Sequence, residues 1–129
     1  MQQSLREAVN EELPEALTFR NQLDGLLSKF VADYKRQDAR ACAEAYAEDA
    51  VLLLPKTPPI RGRVDIAAAL QAGMDAGLEI EDLSVVQCDA HGRIGYALQS
   101  VRSTQIWGAV LLRDSDCMWR IACEAAPNG

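Results

Sequence analysis

Tyr34 and Tyr46 carry the hydroxyls best suited to hydrogen bonding inside an apolar pocket; the plainer reading makes each a core aromatic with its hydroxyl at the surface. Asp49 follows Glu48 directly before an apolar run. A carboxylate there either orients a substrate or accepts backbone N–H groups at a helix-to-strand corner. His91 is the single histidine and the only side chain with an unperturbed titration near neutral pH, but Ala-His-Gly reads as an exposed turn. Arg61 and Arg63 flank Gly62, either holding a ligand carboxylate or forming the solvated sides of a turn. Trp107 either lines a pocket or packs in a subunit interface. Arg120 and Glu124 fall on one face of the last strand by strict alternation. A charged pair there fits an interface or an exposed face better than catalysis.

The four cysteines, Cys42, Cys88, Cys117 and Cys123, include no Cys-x-x-Cys spacing, and one His is available to help them. Zinc needs four N/S ligands at characteristic local spacings, so no metal is expected. Buried or half-buried free thiols are the reading. A catalytic cysteine wants a nearby base to lower its pKa, and none is placed beside a cysteine by the sequence. A chain of 129 residues, 49% apolar and 25% charged, makes one domain with one core. A net charge of −6 argues against nucleic acid, because phosphate binding needs clustered Lys and Arg, and against anionic membranes. No apolar run approaches the roughly 18–20 residues that span a bilayer, and the start lacks the basic and apolar regions of a signal peptide. A cytoplasmic location is the default expectation.

These side chains must be positioned by helices followed by strands. Residues 4 to 13 carry a weak helical stripe, an N-terminal extension over 1–14 ahead of a single domain over 15–126. From Glu15 to Arg36, Leu23, Leu26, Leu27, Phe30, Val31 and Tyr34 recur at helical spacing. Gly25 interrupts that pattern and implies a kink or a close neighbour. Asp38 caps a second helix running to about Ala47, with Cys42, Ala45 and Tyr46 on one face. Val51 to Leu54 reads as an apolar strand, and Pro55, Pro58 and Pro59 force a loop. A third helix covers Arg63 to Ala76, with Ile66, Leu70 and Met74 inward, and Gly77 ends it. A meander of strands follows: Leu78 to Gln87 with a bulge in 80–84, Ile94 to Val101, Gln105 to Arg113, and Cys117 to Ala125. Trp119, Ile121 and Cys123 alternate against Met118, Arg120, Ala122 and Glu124. Helices first and antiparallel strands after is an α+β arrangement.

The stretch from Asp38 to Pro55, then Ile60-Arg-Gly-Arg-Val-Asp-Ile66, then Trp119-Arg-Ile121, resembles the nuclear transport factor 2-like (NTF2-like) superfamily in its SnoaL-like branch, which includes ketosteroid isomerase and polyketide cyclases. The resemblance covers about Leu23 to Ala125. It implies a cone-shaped, cystatin-like α+β fold, three helices on a strongly curved, mostly antiparallel sheet. Ketosteroid isomerase uses an Asp base and an oxyanion hole of a Tyr and a protonated Asp. Laid over this chain, the base falls at Leu54, the Tyr near Phe30 and the second carboxyl near Gly108. None of the three is present, so that arrangement is not expected here. Relatives often carry a longer hairpin where this chain has Ser100 to Gln105, and the shorter one implies a lower, wetter rim.

Two functions follow from the resemblance. One is a small-molecule pocket protein, an acid–base lyase, isomerase or cyclase acting on an apolar, carbonyl-bearing ligand. Its wall would be Phe30, Tyr34, Tyr46, Leu54, Met74 and Trp107, with no cofactor and no assigned catalytic residue. The other is a non-catalytic dimeric binding or association module whose interior is filled by side chains. In both, the bare sheet face is expected to cover itself with a second copy, because monomers avoid large apolar patches.

Overall fold

The computed structural model describes residues 14–129 except residue 82; the expected extension and its helical stripe lie outside the described residues, apart from Pro14. Helix α1 spans Pro14–Lys35 and buries Phe19, Leu23, Leu27, Phe30 and Tyr34 along one side. Pro14 suits the first helical turn because its missing N–H would be unpaired there anyway. The helix runs through Gly25 without interruption, and a Cβ added there would meet nothing within 4 Å. The expected close neighbour is therefore absent. Gly25→Ala should stabilise the protein by about 1 kcal/mol through helix propensity alone, read as a higher urea midpoint at unchanged slope.

Helix α2 spans Ala39–Ala43, and its cap is as the sequence implies: the Asp38 side chain accepts from the Ala41 N–H at 3.1 Å. It ends earlier than its Ala-rich sequence suggests, and Tyr46 stands on a strand rather than a helix. Strand β1, Tyr46–Leu53, pairs in parallel with the C-terminal strand, Tyr46 opposite Ile121. The Ile121 N–H donates to the Ala45 carbonyl at 2.9 Å. Arg63 locks the same corner by donating through Nε and Nη2 to the Tyr46 carbonyl at 3.0 and 2.7 Å. These long-range bonds outweigh a local helix preference of a few tenths of a kcal/mol per residue. Arg63 is thus a positioning group for β1 rather than a solvated flank of the turn.

Strand β2, Ile60–Arg61, folds back antiparallel on β1, and Gly62 at φ +90° opens helix α3, Arg63–Asp75. Gly77 at φ +79° follows the end of α3, a backbone state that glycine adopts without strain. Four strands then form the meander: β3 (Leu83–His91), β4 (Ile94–Val101), β5 (Gln105–Arg113) and β6 (Trp119–Ala125). The sheet order is β2-β1-β6-β5-β4-β3, antiparallel except for β1 with β6. Strand β3 starts and ends later than its sequence pattern implies, and its bulge falls at Val86, between the pairs Val85–Gln99 and Gln87–Leu98. Pairing of His91 with Ile94 shortens the expected turn to Gly92 and Arg93.

The inner face of the sheet packs on α1. Phe19 meets Trp119 edge-on at 4.6 Å between ring centroids. It also lies so close under Gly95 that a Cβ there would stand 2.7 Å from the Phe19 ring. That is why β4 presents Gly95 and Ala97 inward and Ile94, Tyr96 and Leu98 outward.

Candidate functional site

Between α1, α3 and the inner face of the sheet lies a cavity of about 250 Å³. Its wall is mostly apolar, and Phe30, Tyr34, Tyr46, Leu54 and Trp107 all line it. Met74, expected there too, is buried in the core and instead borders a separate pocket beside Tyr34 and Gly77. The Tyr34 hydroxyl gives its proton to the Leu78 carbonyl at 2.7 Å, which leaves it no donor for a ligand. The Tyr46 hydroxyl reaches inward and donates to Glu124 Oε1 at 2.5 Å.

Glu124 is the residue that alternation misplaced. Val110 pairs with Cys123 and Leu111 with Ile121, so Ala122 is an extra residue, a β-bulge. Beyond it the two faces exchange. Cys123 turns out beside Val110, and Glu124 turns in beside Ala109, to be buried in the cavity wall. Arg120, on the other side of the bulge, bonds instead to the Glu44 carbonyl at 2.9 Å and to Asp114 at 3.4 Å. The expected Arg120–Glu124 surface pair is therefore replaced by a buried acid and an unrelated surface contact.

Burial pushes the Glu124 carboxyl up to about 7, against the lowering effect of the Tyr46 hydrogen bond. Burial, and then the neighbouring Glu124 carboxylate, hold the Tyr46 hydroxyl well above its ordinary value. Tyr46 therefore stays a neutral donor while Glu124 exchanges its proton near neutral pH. Asp33 is a buried carboxylate of opposite character. Lys29 Nζ at 2.6 Å and the Arg36 guanidinium bond to it, and it lies outside the cavity. The Lys29 hydrogen bond leads in lowering its pKa, which makes it a structural anion of α1.

Asp49, Arg61 and His91 are off the cavity: Asp49 and Arg61 are exposed, and His91 projects from the end of β3 with Asp89 at 3.5 Å. Cys42 is fully buried, and burial pushes its thiol up to about 11, which leaves it inert. Cys117 is exposed in the turn before β6, contrary to the expectation of buried or half-buried thiols. Among the described residues, no three His, Cys, Asp or Glu side chains cluster as metal ligands.

No family model matches the sequence, and neither does any curated protein. Solved structures do match. A domain of unknown function with a cystatin-like fold from Nostoc punctiforme superposes with a TM-score of 0.70 at 14% identity, over 88% of this chain and 76% of that one. An NTF2-like protein with a cystatin-like fold from Novosphingobium aromaticivorans gives 0.66 at 18% identity, over 87% and 82% of the two chains. The chain has the NTF2-like fold. A third match is a putative dehydratase from the NTF2-like family of Streptomyces avermitilis, with a TM-score of 0.65 at 17% identity over 84% and 94% of the chains.

Within the NTF2-like fold, the positions that the resemblance singled out take on a definite geometry. Leu54 and Phe30 are on the cavity wall. Gly108 pairs with Leu98 on the outward register, so a carboxyl there would point away from the cavity. The acid this chain does have enters from the next strand, opposite Ala109. Gln99, which sequence reasoning passed over, is also buried in the wall. The short β4–β5 turn leaves Arg102 and Gln105 at the rim, with Arg102 donating to the Glu79 carbonyl at 2.8 and 3.2 Å.

Proposed function

We propose that this chain is a small-molecule acid–base protein, with Glu124 as the proton-transfer group and Tyr46 as the donor that holds it. The substrate class is an apolar, carbonyl-bearing molecule. One observation carries the reading: a carboxyl buried in an apolar cavity wall, hydrogen-bonded by a tyrosine hydroxyl and pushed up to about 7 by that burial. A carboxyl of that pKa takes a proton from the carbon next to a carbonyl and gives it back efficiently at neutral pH. Returned to a neighbouring carbon, the proton completes an isomerisation; delivered to a departing β-hydroxyl, it completes a dehydration. The Streptomyces avermitilis structure described as a putative dehydratase has the same fold, which makes the second outcome the first to try.

The test needs no knowledge of the natural substrate. Exchange of α-protons for deuterium in a panel of small ketones is followed by proton NMR in D2O. Wild-type protein should accelerate exchange of at least one ketone, and Glu124→Gln should slow it by about 100-fold or more, the usual contribution of a positioned acid–base group. Ketones that bind without exchanging would favour the binding-module reading instead.

A homodimer through the outer sheet face belongs to the same proposal. Ile94, Tyr96, Leu98, Ile106, Val110 and Leu112 are exposed there on adjacent strands. Asp89 and His91 on β3 and Arg120 on β6 flank them, which gives the apolar centre and polar rim of an interface.

A further inference from the structure

Gln99 lies on β4 with 2% of its surface exposed and lines the cavity. Its Nε2 is the one buried side-chain polar atom among the described residues without a hydrogen-bond partner in the protein. Leaving such a donor unpaired is unfavourable, because its lost hydration is not replaced. No described neighbour relieves it. Trp107, paired directly with Gln99, offers a ring whose Nε1 is turned to Gln105 Oε1 at 3.4 Å. The Tyr34 and Tyr46 hydroxyls donate to Leu78 and Glu124, and neither oxygen accepts from Gln99. An acceptor for Gln99 has to come from whatever fills the cavity, and a ligand oxygen would supply it.

The cavity limits what that ligand is. An apolar cavity of about 150 Å³ holds benzene, so about 250 Å³ takes roughly ten non-hydrogen atoms. Among the described residues, Arg102 and Glu124 are the only charged ones lining it, and Arg102 is engaged at the rim. An anion inside would meet the Glu124 carboxyl with no buried cation to balance it, and a cation offers Gln99 no acceptor. Gln99 and Glu124 stand two strands and one inward step apart, through Trp107 and Ala109. That is roughly 12 Å between Cα atoms on a flat sheet, and both side chains reach into the space between. A carbonyl held at Gln99 leaves the adjoining carbons between it and Glu124.

We propose that Gln99 is the specificity residue of the cavity: its amide N–H donates to the carbonyl oxygen of a neutral ligand of about ten non-hydrogen atoms, the size of a monocyclic aryl ketone. This deepens the acid–base reading and rests on it for what happens to the ligand afterwards. Carbonyl recognition itself is measured separately.

Acetophenone and α-methylstyrene differ in C=O against C=CH2 at the same size and shape. NMR titration of the full chain with each should show acetophenone binding about tenfold more tightly to the wild type, the worth of one buried donor left unpaired. In Gln99→Met, a near-isosteric change, the ratio should fall to about one. The ligand-free Gln99→Met protein should also resist urea better than wild type, because the unpaired donor is gone; a purely structural glutamine would give the opposite sign. Equal affinities in the wild type, no binding of either probe, or a ratio unchanged in Gln99→Met would each overturn the proposal. Preference without α-proton exchange leaves Gln99 assigned and removes the acid–base role of Glu124. Exchange without preference does the reverse.

Discussion

Raising the pH from 4.5 to 8 should lower the folding stability of the wild-type protein by roughly 3 kcal/mol, and Glu124→Gln should abolish most of that fall. The Glu124 carboxyl goes from an ordinary value of 4.5 to about 7 on folding because burial disfavours its charge. Between those two values the folded state holds a proton that the unfolded chain has released. Stability therefore declines as pH rises through that window and levels off above it. The opposite slope comes from Asp33, whose pKa is lowered chiefly by the Lys29 hydrogen bond. Its contribution is present above the ordinary carboxylate value and is lost as pH falls through its lower folded value. Together they place the stability maximum on the acid side of neutrality. Tyr46 faces Glu124 directly, and Arg102 is the other charged side chain lining the cavity among the described residues. Tyr46→Phe removes the hydrogen bond that favours the carboxylate, so the declining limb should move to higher pH. Urea midpoints measured at half-unit pH intervals give all three curves. A wild-type profile flat between 5 and 8 would show that Glu124 carries no raised pKa and would remove the physical basis of its acid–base role.

The sequence makes the frame of this molecule legible and hides its reacting group, for identifiable reasons. The apolar repeat from Leu23 to Tyr34, the Asp38 cap and the Gly62 and Gly77 punctuation are local signals, and each marks its element within a few residues. The fate of Tyr46 depends on a strand that begins at Trp119, so an Ala-rich window reads as helix until that parallel partner is known. Glu124 is hidden by one residue. Nothing in Ile121-Ala-Cys-Glu124 announces that Ala122 is bulged, and without the bulge the acid points to solvent. Gln99 is hidden differently. The alternation from Ile94 to Leu98 gives two faces but not which is inner, and bulky residues usually claim the core. Here Phe19 lies so close beneath Gly95 that the small residues face inward, and Gln99 follows them. Gly95 and Ala97 in one register are the signal that could have found it.

Val110→Glu should convert a dimer of the 14.1 kDa chain into a monomer at micromolar concentration. Val110 is central on the exposed outer face, between Tyr96 on β4 and Cys123 on β6. In an interface that uses the same surface on both copies, one substitution buries two carboxylates. Like charges brought together across an interface cost several kcal/mol, and each 1.4 kcal/mol is tenfold in the dissociation constant. A weakening of about 100-fold or more is expected, measured by light scattering on a concentration series. Val64→Glu is the control, because Val64 is highly exposed on α3, away from the sheet face, and should leave the dimer intact. A wild type that scatters as a monomer throughout the series would overturn the interface. The cavity lies on the inner face of the sheet, and Val110 points to the outer one. Monomeric Val110→Glu should therefore keep the ketone exchange and the acetophenone preference. Their loss together with the dimer would mean that the partner copy shapes the cavity, and the chemistry would then belong to the pair.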